Sequence, residues 1–418
     1  MDKETIKQII LRQQELIPNF QIVKRDFPFE KHACQVLVGI RRAGKSFLLY
    51  QYIQQLVADG HSIEEILFIN FEDERIADIK MSELHLILDA YRELFPHKPF
   101  VFLDEIQNVD GWEHFARRLA DEKYQVIITG SNAKMLSRDI ASTLGGRYIL
   151  KEVFPFSFAE YLDYEHVKLS AHWELSPQRA DVVRYMSTYL HQGGLSESFD
   201  LVDKRGWLQA LYDRILLSDI VVRRKIRNER SLRLLVRKLA DSVMQPTSVK
   251  RLQNILQGDG SKISRETVSD YIGYLHDAYL TFSISNYSDN ISERASIQKH
   301  YFYDNGLLGL FIINPEPKLL ENLVALHLYK KYGEGLQYYN RNVEVDFVVG
   351  EKKLLVQVSW SIADADTRQR ETGAIVKTAK FFNATEAYII TFNEEETIVL
   401  DDIKINVVPV YRLLLADL

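Results

Sequence analysis

Val36-Leu37-Val38-Gly39-Ile40-Arg41-Arg42-Ala43-Gly44-Lys45-Ser46-Phe47 is the stretch that decides the fold. An apolar run from Cys34 to Val38 reads as a buried strand. A G-x-x-x-x-G-K-S loop follows, and Phe47, Leu48, Leu49, Tyr52 and Ile53 then recur at helical spacing. Strand, glycine-rich loop and helix in this order form a phosphate cradle: backbone N–H groups wrap a triphosphate, and the helix N-terminus adds its positive dipole end. The residues expected to bind the nucleotide are Gly39, Ile40, Arg41, Arg42, Ala43, Gly44, Lys45, Ser46 and Phe47. Lys45 is expected to reach the β- and γ-phosphates, and the Ser46 hydroxyl to hold Mg²⁺.

The segments downstream follow the order a P-loop ATPase requires. Glu65 to Phe71 is a second strand. Pro99 to Glu105 is a third, an apolar run ending in two carboxylates. This is the Walker B pattern, in which Asp104 holds hydrated Mg²⁺ and Glu105 polarises the attacking water. Taken alone, such a run could equally be a strand meeting a turn. Gln125 to Asn132 is a fourth strand ending in polar residues, where Ser131 or Asn132 could position the water or cap the helix Ala133 to Ser137. Arg147, in Gly145-Gly146-Arg147-Tyr148, is the candidate to stabilise transition-state charge on a neighbouring subunit's nucleotide, with Arg138 nearby. Arg147 could instead be a surface residue opening the strand Tyr148 to Val153, and Arg41 and Arg42 could be solvated.

Together, GIRRAGKS (39–46), FLDEIQ (102–107), ITGSNAKMLSRD (128–139), LGGRY (144–148) and FPFSFAEYL (154–162) resemble a family of prokaryotic AAA+-like ATPases. That family joins an N-terminal P-loop domain to a C-terminal domain, and the resemblance covers essentially the whole chain. It implies a core sheet with an extra strand between Walker A and Walker B and a helical lid after it.

Composition sets the limits. At 418 residues the chain should hold about two to four domains. No run approaches the roughly 18 apolar residues of a membrane helix, and Met1-Asp2-Lys3-Glu4 has no signal pattern, so no membrane role and a cytoplasmic location are expected. The single Cys34 excludes an internal disulfide framework and a cysteine-based zinc site. A net charge of −6 gives no global nucleic-acid signal, so any such contact must be local.

Phe158 to about Ile226 reads helical, with a break at Gln192-Gly193-Gly194-Leu195. From Val222 to Arg251 the chain is basic: Arg223, Arg224, Lys225, Arg227, Arg230, Arg233, Arg237, Lys238, Lys250 and Arg251 stand against Glu229 and Asp241 alone. Helices over Leu232–Val243, Ser248–Leu256 and Ser264–Ala278, then a strand Leu280–Ile284, look like a winged helix whose third helix could enter the DNA major groove. Lys250, Lys262 and Arg265 could then meet phosphates. A lid or protein-contact role is the alternative.

Beyond His300 an αβββαβ order resembles the PD-(D/E)xK nuclease superfamily. That chemistry needs carboxylates around Mg²⁺ and a lysine to organise water. Glu321 on the helix and Asp346 on a strand match. The third element reads Gln357-Val358-Ser359, so Ser359 stands where the lysine belongs and the site is expected to be degenerate. Asp346 could also simply pair with Arg341.

The expected architecture is α/β in four parts. Residues 1–155 form an AAA+-type ATPase domain, 156–228 a helical lid, 229–290 a winged-helix domain and 291–418 a restriction-endonuclease-like domain. The expected activity is Mg²⁺-dependent ATP hydrolysis by a homo-oligomer, a ring such as a hexamer, acting on DNA, including branched DNA. The alternatives are a nucleotide-gated switch or scaffold for protein partners, and an ATPase-controlled nuclease.

Overall fold

The computed structural model describes residues 1–131, 143–287 and 296–416. The chain divides into two compact units, Met1–Phe154 with Asp277–Tyr279, and Pro155–His276 with Leu280–Leu418.

The first unit is built on a parallel sheet of β1 (Cys34–Val38), β2 (Ile66–Asn70), β3 (Phe100–Asp104), β4 (Gln125–Gly130) and β5 (Tyr148–Glu152) in the order β2-β3-β4-β1-β5. β4 thus lies between the phosphate-loop strand β1 and the Walker B strand β3. All five residues of β1 are buried, as expected where helices cover both faces of a parallel sheet. Gln35, the polar exception, exchanges two hydrogen bonds with the Glu30 backbone, both 3.1 Å. The register sets Asn70 beside Asp104 and Val38 beside Gly130, so the C-terminal ends of β1, β3 and β4 meet at one edge. A helix not anticipated from sequence, Lys3–Leu16, is capped by Asp2 and buries Ile6, Ile9 and Ile10; its Gln14 donates to the Ile66 carbonyl at 2.8 Å.

The second unit holds a nine-stranded sheet, β13-β14-β12-β11-β10-β9-β7-β8-β6. Its strands are β6 (Thr247–Ser248), β7 (Thr281–Asn286), β8 (Ile297–Phe302), β9 (Gln337–Asn340), β10 (Glu344–Val349), β11 (Leu354–Val358), β12 (Glu386–Thr391), β13 (Glu396–Leu400) and β14 (Ile403–Pro409). The helix Glu316–Tyr332, β9–β11, the helix Ala365–Phe382 and β12 follow the expected αβββαβ order; β13, β14 and the helix Val410–Ala416 extend it.

The helices Glu229–Asp241, Val249–Gly258 and Arg265–Asp277 fall close to their expected positions. The expected separation of 229–290 from 291–418 does not hold. β7 and β8 are arms of one antiparallel hairpin, with Thr281 opposite Phe302, and β7 also pairs with β9. A domain boundary there would break this ladder. Among the described residues no helix is long and apolar enough to cross a membrane.

Candidate functional site: a phosphate loop facing two buried carboxylates

The loop after β1 folds back because two glycines let it. Gly39 lies against β5, where a Cβ would sit 2.2 Å from the Val153 carbonyl oxygen, and Gly44 takes φ +85°. Neither position tolerates a side chain. The helix Lys45–Ala58 begins directly after Gly44, so the backbone N–H groups of Lys45, Ser46 and Phe47 lie in its first turn, without intrahelical acceptors. The Phe47 side chain itself is exposed, leaving its backbone as the contributing group. Lys45 is buried, and its Nζ donates to the carbonyls of Gly39 at 3.1 Å and Ile40 at 3.0 Å while lying 3.9 Å from Glu105 Oε1.

Asp104 is fully buried at the end of β3. Its Oδ1 accepts from Thr129 Oγ1 at 2.5 Å, and the Ser46 hydroxyl acts with it to lower the carboxyl. Its Oδ2 is buried with no partner among the described residues. Burial, then the neighbouring Glu105 carboxylate, push the Asp104 carboxyl up to about 7. Glu105 sits at φ +53°, strained for a non-glycine residue, with its N–H held by Thr129 Oγ1 at 2.9 Å. Burial alone would raise the Glu105 carboxyl; Lys45, Gln107, Arg41 and Ser131 outweigh it and hold the carboxyl below its usual range.

The nucleotide and Mg²⁺ expected here fit these residues. A buried carboxylate oxygen without a donor, beside a second carboxylate and a serine hydroxyl, calls for a cation. The glycine cradle leaves room for backbone to approach phosphates.

Ser131, also buried, meets the same cluster through Gln107, whose Nε2 donates to Glu105 Oε2 and lies 3.4 Å from Ser131 Oγ. Gln107 was quoted within FLDEIQ but not singled out; its place two residues after Glu105 is the only sequence signal for it. Arg25 carried no such signal. Its guanidinium donates to the Ala43 carbonyl at 2.9 Å and the Phe154 carbonyl at 3.0 Å, tying the loop to the end of β5. Arg41 pairs with Glu72 at 3.0 Å, and Arg42 takes φ +68°. Asn132, Arg138 and the segment Ala133 to Ser137 lie outside the described residues.

Arg147 is not in this cluster. It precedes β5, whose register sets Tyr148 beside Cys34, at the opposite end of β1 from the loop. It pairs with Asp121. One strand length, roughly 15 Å, separates it from the phosphate loop of its own chain.

Residues 31–162 match the AAA domain family, and residues 183–316 match a domain family of unknown function. The chain is 32% identical to the uncharacterized protein MJ1544 of Methanocaldococcus jannaschii over 99% of its own length and 96% of the relative's. The chain belongs to the family of that archaeal protein. An uncharacterized protein of Haemophilus influenzae is 28% identical over 91% of this chain and 96% of its own. A solved Walker-type ATPase of Pyrococcus abyssi is 16% identical, with a TM-score of 0.37, covering 75% of this chain and 96% of that one. The first unit of this family member is an AAA-type P-loop ATPase fold.

The second expected site is only partly assembled. Glu321 and Asp346 do converge, but on a lysine: Lys299 Nζ on β8 lies 2.8 Å from Asp346 Oδ1 and 3.4 Å from Glu321 Oε1. The lysine missing at Ser359 is thus met by one from another strand, β8. Asp346 takes Lys299 as its cation partner, not the Arg341 considered from sequence. Gln357 does not turn an oxygen outward as a ligand. Its Oε1 accepts from Asp346 N at 3.2 Å and its Nε2 donates to Glu371 Oε2 at 2.7 Å. Glu321 is pushed up to about 7 by burial, then by Asp346.

Three of the ten basic residues of 222–251 are answered by acids from outside that window. Arg223 pairs with Asp219, Arg230 with Asp259 and Arg233 with Asp213 as well as Glu229. Lys250, Arg251, Lys262 and Arg265 remain exposed.

Proposed function

We propose that this chain is a Mg²⁺-dependent ATPase whose hydrolytic site is completed between subunits of a homo-oligomer. The observation that carries the reading is the orphaned Oδ2 of buried Asp104, facing a glycine-built phosphate loop with Lys45 beside it. Lys45 and the loop N–H groups would hold the β- and γ-phosphates, and Ser46 and Asp104 would hold the metal. When bound, Mg²⁺ neutralises phosphate charge as it develops. Glu105 accepts the proton of the attacking water, while Gln107 and Ser131 hold its carboxylate in place. Arg147 faces away from its own loop, so it serves the site of a neighbour, stabilising charge there.

The energy is used on a nucleic acid, in our reading DNA, through the three helices and hairpin of 229–302. Their helix–strand–helix–helix–hairpin order, with β6 pairing on β8, supports reading them as a winged helix. Lys250, Arg251, Lys262 and Arg265 supply exposed charge for phosphates. A nucleotide-gated switch for protein partners is the second reading. It is favoured by Glu266 and Asp270, which are exposed on the third helix, where they would oppose a phosphate backbone. ATP turnover with and without linear and branched DNA decides between them. DNA stimulation that falls with salt supports the first reading, and its absence supports the second.

A further inference from the structure

The carboxylates of the second unit resemble a nuclease metal centre, yet their surroundings leave no vacancy for a metal. We propose that Lys299 is the resident cation of this cluster, occupying the place a divalent ion would take, so that the second unit folds and works without metal. The inference stands independently of the ATPase reading.

The contacts carry it. Lys299 is 0% exposed, and its Nζ lies 2.8 Å from Asp346 Oδ1, 2.9 Å from Glu344 Oε1 and 3.4 Å from Glu321 Oε1. An ammonium has three protons and no acceptor, so three carboxylates saturate it. Three of these carboxylate oxygens take further donors. Glu321 Oε1 also accepts from Tyr301 OH at 2.7 Å, Asp346 Oδ2 from Val358 N at 2.9 Å, and Glu344 Oε2 from Asn340 Nδ2 at 3.3 Å. Gln357, at the third-ligand position, bridges Asp346 and Glu371 instead. The Glu371 carboxylate in turn accepts from Arg370, so a second cation closes that end of the chain of acids. Among the described residues no group of three metal-ligating side chains converges on an empty position.

A metal could enter only by expelling a wholly buried ammonium or by sitting against it. The first strips the ammonium of all its partners, and the second sets like charges in contact in a poorly screened interior. Lys299 therefore supplies the positive charge these acids need while denying the coordination that cleavage chemistry requires.

The test uses full-length, nucleotide-free protein and Mn²⁺. Wild type should bind no Mn²⁺ that depends on Asp346, so Asp346→Asn leaves the Mn²⁺ stoichiometry unchanged. Lys299→Ala should gain one Mn²⁺ site, lost again when Asp346→Asn is added. Asp104→Asn, which removes the phosphate-loop metal ligand and leaves the Lys299 cluster intact, gives an independent reading should the other variants not fold. Its melting temperature should be the same in EDTA and in Mn²⁺, whereas occupancy of a metal site in the second unit would raise it by several degrees. Wild type with Mg²⁺ or Mn²⁺ should also leave DNA uncut. An Asp346-dependent Mn²⁺ site in wild type, a Mn²⁺-raised melting temperature in Asp104→Asn, Asp346-dependent cleavage, or a folded Lys299→Ala that gains no site would each overturn the proposal.

Discussion

Replacing Gln107 with alanine removes the donor that joins Glu105 to Ser131. Glu105 is held in a left-handed backbone conformation and is buried, so its carboxylate has few groups to fix its direction. Gln107 Nε2 is one of them, and a hydrogen bond to a charged group is worth about 1.5–3 kcal/mol. If that positioning is realised in the transition state, kcat falls about ten- to a hundredfold with KM for Mg·ATP little changed. A second signature separates positioning from general damage. Gln107 also helps hold the Glu105 carboxyl below its usual range, so its loss lets the carboxyl rise and the acid limb of the kcat profile moves to higher pH. Gln107→Glu should move it further by adding like charge. The assay is steady-state phosphate release at saturating Mg·ATP across pH, with melting temperature as a folding check. A kcat within twofold of wild type, or a higher KM at unchanged kcat, would refute the role given to Gln107.

Arg147→Ala should lower turnover by about a thousandfold or more. Loss of its exposed pair with Asp121 should cost at most about 1 kcal/mol of stability. Mixing Arg147→Ala with Glu105→Gln should restore turnover, because some interfaces then combine an intact arginine with an intact glutamate; no recovery would place the arginine elsewhere. His300 is buried and His276 half-buried with its Nε2 enclosed, and burial lowers His276 to about 4 and His300 to about 3. Neutral in the fold but protonated when unfolded, they contribute stability that is lost as pH falls below about 6.5, each by about 1.4 kcal/mol per pH unit. Urea unfolding of the His276→Gln/His300→Gln double variant should show a flatter pH dependence than wild type. That difference is the proper comparison because Asp304, raised by burial to about 6, acts in the opposite direction. Equal slopes would contradict the assignment.

The first unit was legible because β1 to β4 of its sheet are covered on both faces. A short apolar run then ends abruptly in the residues that do chemistry, as at Val38-Gly39 and Leu103-Asp104. Gln107 was visible only as a letter near Glu105, since its direction depends on the 3₁₀ turn Ile106–Asn108. Arg25 was out of reach of any local pattern, because its acceptors at Ala43 and Phe154 are set by tertiary folding. Lys299 illustrates both limits. The strand was read from His300, three residues after its start at Ile297. Alternation would have placed Lys299 on the face of Tyr301, the residue that also bonds Glu321. The basic run was legible only in part for a related reason: a window counts charges along the chain, while Asp213, Asp219 and Asp259 arrive through space.

Phosphate release by the purified chain, with Lys45→Ala and Glu105→Gln beside wild type, tests the central claim most directly. The geometry predicts Mg²⁺-dependent turnover in wild type, loss of both ATP binding and turnover in Lys45→Ala, and retained binding without turnover in Glu105→Gln. Hydrolysis by Lys45→Ala at the wild-type rate would contradict the assignment of the phosphate loop, and with it the reading of the first unit as an ATPase.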